Sequence, residues 1–169
     1  MSTLDVGAGR DPDPRADETL DIQPPADHVA DLETEWPFES DSYDQIIASH
    51  VVEHLRDLPH FFHEAGRVLR AHGRLEVTVP LGEDAITDHD HQTVWTHATP
   101  EQFSQRHKRA WDPAVPFVLV DRELEVWSEG PEGMFWNSRL VDVLAGVAPG
   151  WVAYRCRAGE LTATYRHIL

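Results

Sequence analysis

Thr3-Leu4-Asp5-Val6-Gly7-Ala8-Gly9 reads as a short strand running into a glycine turn. Leu4 and Val6 are apolar strand formers with the charge of Asp5 between them. Gly7 and Gly9 permit the positive φ of a sharp turn and leave the backbone open to a ligand. Alone, the same residues also fit a plain β-turn with nothing bound. The chain beyond Gly9 favours a site.

Residues 10–18 are polar and broken by Pro12 and Pro14, too short and interrupted for a helix, so the turn opens into a loop. Thr19-Leu20-Asp21-Ile22 is a second strand ending in an acid and stopped by Pro24-Pro25. His28-Val29-Ala30-Asp31-Leu32 is a third, again with a terminal carboxylate. Beyond the turn residues Glu39-Ser40-Asp41-Ser42, the stretch 43–49 is a fourth strand with an apolar centre. From Val51 the apolar period becomes helical through Leu55, Leu58, Phe61, Phe62, Ala65, Val68 and Leu69. Pro59 marks a kink or a second start, and Gly73 is expected as the C-cap. Residues 74–80 alternate as a fifth strand, and after it comes a loop rich in Asp and His. Thr99-Pro100 reads as the N-cap and first position of a short helix. Segments 117–127 and 151–157 are expected as strands flanking a helix near 135–144, with Gly159 turning the chain into a last strand over 161–165. Strands alternating with helices predict an α/β fold with a mainly parallel sheet and a ligand at the carboxyl ends of the strands. Asp5, Asp21, Asp31 and His50 all fall at or near such ends.

The 169 residues suit one domain, 41% of them apolar, with no run near the roughly 20 apolar residues of a membrane span. Its expected halves are a cofactor-binding 1–80 and a substrate-side 81–169. The single Cys156 forms no internal disulfide and the chain opens without a leader-like apolar segment, which predicts a cytoplasmic protein. Thirty acidic against fourteen basic residues give a net charge of −16, and Lys108 is the one lysine. Such a charge argues against a nucleic-acid partner, which needs a clustered basic face; Arg106-His107-Lys108-Arg109 is the one basic cluster.

The first half resembles the class I S-adenosylmethionine-dependent methyltransferases of the type 11 group. Leu4-Asp5-Val6-Gly7-Ala8-Gly9 matches the first motif, Leu20-Asp21-Ile22 the ribose-binding strand end and Ala30-Asp31-Leu32 the adenine-side acid. Trp36-Pro37-Phe38 with Tyr43-Asp44-Gln45-Ile46, Glu53-His54-Leu55 and the stretch 66–75 complete the series. The resemblance covers residues 3 to about 80 and implies a Rossmann-like, doubly wound, mainly parallel sheet with antiparallel C-terminal strands. The helix usual between the first two strands is missing. The implied cofactor is S-adenosylmethionine, leaving as S-adenosylhomocysteine. Asp5 would orient its amino group, the Gly7 and Gly9 backbone would lie against the methionine part, and Asp21 with Ile22 would meet the ribose. Asp31 or the Leu32 backbone would meet the adenine. His50, beside the departing methyl group, and His91 are the catalytic candidates. A glycan, small metabolite or protein side chain is the expected acceptor, and the later β segments are a candidate dimer contact. The acidic, lysine-poor composition resembles that of salt-loving archaea, whose ionic strength screens self-repulsion.

The chemistry agrees with the resemblance, because a cationic, phosphate-free cofactor with a ribose diol suits a site of carboxylates. A dinucleotide needs a third glycine and a helix where this chain has Pro12 and a loop. Two alternatives differ in class. One is a non-catalytic cofactor-binding or assembly module, to which Trp95, Trp111, Trp127, Trp136 and Trp151 would lend an interface. The other is a metal-dependent hydrolase, since His50-Val51-Val52-Glu53-His54 spells H-x-x-E-H. No metal ligands are assigned: Glu53-His54 is absorbed by the methyltransferase pattern, His54 is expected to serve packing or a hydrogen bond, and Asp88-His89-Asp90-His91 with His97 could bind a metal but is read first as a solvated loop or substrate rim.

Overall fold

A computed structural model describes residues 1–106, 109–127, 144, 146–150 and 158–169. Seven strands form one sheet in the order β3-β2-β1-β4-β5-β7-β6. They are β1 Thr3–Val6, β2 Glu18–Asp21, β3 His28–Val29, β4 Tyr43–Ser49, β5 Leu69–Gly82, β6 Phe117–Trp127 and β7 Ala158–His167. The first five pair in parallel, and β7 runs antiparallel between β5 and β6. This is the expected mixed sheet.

The alternation of each strand sorts the two faces. Leu4, Ile46, Leu75 and Tyr165 stand in one cross-strand row and are all buried. Against them packs α1, Leu58–Val68, which buries Leu58, Phe61, Phe62, Ala65 and Val68 at helical spacing. Phe62 stacks on Phe103 at 4.3 Å and meets Tyr165 edge-on at 5.3 Å, so the aromatic core lies under this helix. The opposite row holds Asp5, Ile47, Glu76 and Thr164. There the loop after β1 takes the place of a helix. Asp5 Oδ2 accepts the Asp13 backbone N–H at 2.8 Å, and Arg15 reaches Glu76 Oε1 at 2.7 Å.

Several boundaries differ from the expectation. The helical period splits into a 3₁₀ turn, Val52–His54, and α1, whose N-cap Asp57 accepts the His60 N–H; Pro59 sits in its first turn. The helix ends at Val68, not at Gly73. Leu69 is already extended and pairs with Tyr43, and Gly73 lies inside β5. A buried leucine satisfies both the last helical turn and the first strand position, so its apolar period could not mark the boundary. β3 is only two residues long, and Asp31 and Leu32 lie beyond it. Thr99 does not cap its helix: Ala98 occupies that position over the 3₁₀ segment Thr99–Phe103, while Thr99 Oγ1 accepts the Thr96 N–H at 2.8 Å. Gly159 makes no turn; it is a strand residue of β7 paired with Leu81. The expected strand 151–157 and nearly all of the helix 135–144 lie outside the described residues. Among the described residues no helix is long and apolar enough to cross a membrane.

Neighbouring carboxylates such as Asp11, Asp27, Glu33, Glu35 and Asp41 are exposed. With a net charge of −16 their mutual repulsion opposes compaction and is screened by salt. The melting temperature is therefore expected to climb steadily from dilute buffer to molar KCl; a flat or falling curve in a thermal-melt series would refute the salt dependence.

Candidate active site

Three strand ends build the site. At the end of β1 the chain turns at Gly7, φ +70°, and Gly9, φ +58°. The Gly7 N–H donates to the Leu20 carbonyl at 2.7 Å and the Gly9 N–H to Asp21 Oδ2 at 2.9 Å, which locks the turn to the end of β2. At the end of β4, His50 adopts φ +51°, and its N–H donates to the Thr78 carbonyl of β5 at 2.9 Å. A non-glycine residue in the left-handed region re-aims the chain, and here it swings the imidazole over the strand ends. Between the turn and His50 lies a cavity of about 380 Å³ whose walls include Asp5, Gly7, Ala8, Asp13, Ser49 and His50.

The electrostatics set a mainly acidic floor against one imidazole. Asp5 is 3% exposed, and burial raises its carboxyl pKa against the opposing hydrogen bond from Asp13. His50 Nδ1 stands 3.5 Å from Glu53 Oε1, and its Nε2 lies 2.9 Å from Glu160 Oε1. The Glu53 carboxylate first, and then Glu160, raise the His50 pKa. At 3.5 Å the Glu53 contact is long for a hydrogen bond, and neither Glu53 oxygen has one in good geometry.

The residues singled out in the sequence fall into three groups. Asp5, Gly7 and His50 share the cavity, with Gly9 on the same turn. Asp21 is bound to that turn and its second oxygen accepts the Gln23 N–H at 2.9 Å, while Ile22 beside it is 61% exposed. Asp31 is exposed and accepts the Glu33 N–H, and Leu32 is buried with its carbonyl taken by Trp36 Nε1 at 3.2 Å. His91 is apart from the cavity. Its ring lies 4.9 Å from that of His54, with Nδ1 on the Ala85 carbonyl at 3.1 Å. Sequence reasoning missed Glu160, which reaches His50 only because β7 pairs antiparallel with β5 and sets Glu160 opposite Pro80. It also missed Asp13 and Ser49. Ser49 carried a signal, as the last residue of a strand directly before His50.

Residues 4–77 match the model of the family described as "Methyltransferase domain". No curated protein matches the sequence. In structure the chain is similar to a Haloferax volcanii chain reported as a methyltransferase in complex with the Trm112 activator. The TM-score is 0.64 at 17% identity, covering 99% of this chain and 82% of that one. It is also similar to a SAM-dependent methyltransferase of Archaeoglobus fulgidus, with TM-score 0.63, 14% identity, and 98% and 85% of the two chains covered. The [4+2]-cyclase SpnF matches at TM-score 0.59 and 16% identity over 99% of this chain and 74% of its own. At these identities the likeness establishes the fold, and a cyclase among the matches shows that the sheet alone does not fix the reaction.

Proposed function

We infer that this chain, whose residues 4–77 belong to the methyltransferase domain family and whose sheet is that of the class I methyltransferases, binds S-adenosylmethionine and transfers its methyl group to an oxygen or nitrogen acceptor. The observation that carries the reading is the convergence of the Gly7 turn, Asp5 and His50 on one cavity at the carboxyl ends of β1 and β4. These residues fit the cofactor. A buried carboxylate faces its cationic amino acid end, and the glycine turn presents backbone without side chains to the methionine part. Asp21, tied to the same turn, is in position to take the ribose hydroxyls, with Ile22 alongside, and Asp31 and Leu32 mark the adenine side.

The bound sulfonium supplies an activated methyl group. Held by Asp5, the Gly7 turn and Asp21, the cofactor would offer its methyl carbon to the acceptor's lone pair, with sulfur keeping the electron pair of the broken bond. The protein's part is chiefly alignment of the acceptor. His50 lines the cavity with Nδ1 3.5 Å from Glu53 and Nε2 2.9 Å from Glu160, so an acceptor meets this ring by displacing Glu160 from Nε2. It orients the acceptor and takes its proton where the imidazole is neutral.

The test is calorimetry with S-adenosylmethionine in molar KCl, followed by assay for S-adenosylhomocysteine. Asp21→Asn keeps one oxygen for the backbone N–H groups but weakens the ribose contact, and is expected to cost roughly 1–3 kcal/mol of cofactor affinity. His50→Ala is expected to slow transfer with little change in that affinity. Unchanged affinity in a folded Asp21→Asn chain would show that the cofactor is misplaced. Binding with no turnover on any acceptor class would favour the non-catalytic module.

A further inference from the structure

The methyl-transfer reading leaves one buried charge unexplained. Glu53 is 2% exposed, and neither of its carboxylate oxygens accepts a hydrogen bond. With the His50 ring at 3.5 Å as its charged neighbour and no hydrogen bond in good geometry, a carboxylate so withdrawn from water is incompletely compensated, and a further cation would complete the site. Its surroundings are imidazoles: one donor atom from each of Glu53, His54 and His91 lies within 4.8 Å of the others.

The two histidines are also prepared in the manner of ligands. His91 Nδ1 stands 3.1 Å from the Ala85 carbonyl and His54 Nδ1 3.4 Å from the Asp90 carbonyl. A carbonyl can only accept, so a proton on each Nδ1 suits these contacts and leaves the other ring nitrogen as the donor to a cation, with Asp88 Oδ2 3.8 Å from His91 Nε2 as a further carboxylate neighbour. The loop that brings His91 is pinned to the same residue, for the Gln92 and Thr93 N–H groups donate to the Glu53 carbonyl at 2.8 and 3.1 Å. Thus a 3₁₀ turn and a loop nearly forty positions apart are fastened together at the point where the three donors meet.

We propose that Glu53, His54 and His91 bind a divalent cation of the zinc or manganese type beside the methyl-transfer cavity. Two imidazoles and one carboxylate suit such borderline ions better than magnesium or calcium, which take mainly oxygen. Bonds to zinc run about 2.0–2.2 Å, so a modest side-chain adjustment closes the three donors on the ion and leaves positions open. His50 connects the two places: it lines the cavity and its Nδ1 is 3.5 Å from Glu53 Oε1. An acceptor oxygen held by the cation would reach the methyl group only past His50, a role that rests on the methyl-transfer reading, whereas the cation site itself does not. The H-x-x-E-H pattern is thereby divided, with Glu53 and His54 on the metal and His50 at the cavity.

The test uses the full chain, stripped with EDTA, dialysed and titrated with ZnCl2 and MnCl2 by calorimetry in molar KCl. One cation per chain is expected. Glu53→Gln and His91→Ala should each weaken binding at least tenfold with the circular dichroism spectrum intact, and His91→Ala, apart from the cavity, should also leave the heat of S-adenosylmethionine binding intact. His89→Ala, in the exposed Asp88-His89-Asp90 stretch, should change nothing. The absence of stoichiometric binding by the unaltered chain would overturn the site and leave His50 as the partner of Glu53. Undiminished binding in both ligand variants, or its loss in His89→Ala alone, would overturn it too. A chain that takes the cation but gives no heat with S-adenosylmethionine overturns the acceptor role and the methyl-transfer reading while the cation site stands.

Discussion

Gly7→Ala is expected to lower stability by roughly 2–5 kcal/mol and to abolish measurable cofactor binding. Two costs combine. The residue sits at φ +70°, where a side chain is strained by about 1–2 kcal/mol. Its new methyl would also stand 2.5 Å from Val51 Cβ and collide with Val51 Cγ2. A β-carbon is fixed to its backbone, so no rotamer change of Val51 relieves the clash and the chain after His50 must move, adding about 1–3 kcal/mol. Gly9 is the control: at φ +58° it has nothing within 4 Å of an added β-carbon, so Gly9→Ala costs only the backbone strain. Denaturant melts of the two variants measure the contrast. Equal stability losses would mean that the turn does not pack on the segment carrying His50.

The strand ends are legible in the sequence for a physical reason. Apolar pairs such as Leu4 with Val6 and Ile46 with Ile47 announce strands, so a charged, glycine or histidine residue within or just beyond their last positions falls at or near a carboxyl end. Hence Asp5, Gly7 and His50 stand out in the sequence, and the cavity brings them together. The features that escape a sequence reading are long-range or double-valued. Glu160 meets His50 across 110 residues through an antiparallel register that no local pattern encodes. Glu53 stands out in the sequence only as part of a helix motif, and its burial depends on a distant loop whose Gln92 and Thr93 N–H groups donate to its carbonyl. Leu69 serves helix and strand alike, which displaces the expected boundary to Gly73.

The motif Trp36-Pro37-Phe38 and Arg67 in the last turn of α1 prove to be two halves of one clamp, and the second large effect is expected there. Glu64 is 8% exposed. Its Oε2 accepts the Trp36 N–H at 2.8 Å and Arg67 Nη2 at 2.7 Å, while Oε1 accepts Arg67 Nε at 2.9 Å. Arg67 in turn donates to the Phe38 carbonyl at 2.7 Å and the Trp36 carbonyl at 3.1 Å. The pair thus fastens the segment before β4 to α1, seating Trp36 against Phe61 in the core at 5.6 Å. Glu64→Gln removes the charge and leaves a partly buried guanidinium uncompensated, which is expected to cost about 2 kcal/mol, or roughly 4–8 °C in Tm for a chain of this size. The loss should also depend on pH in a definite direction. Arg67 above all lowers the Glu64 pKa below its ordinary 4.5, so the folded state binds this proton less readily than the unfolded state. The stabilisation is therefore complete above pH 4.5 and disappears as pH falls through the lower folded value. Melts of the unaltered and Glu64→Gln chains should differ fully near neutrality and converge in acid; a difference that persists unchanged below that range would show that packing, not charge, holds the clamp.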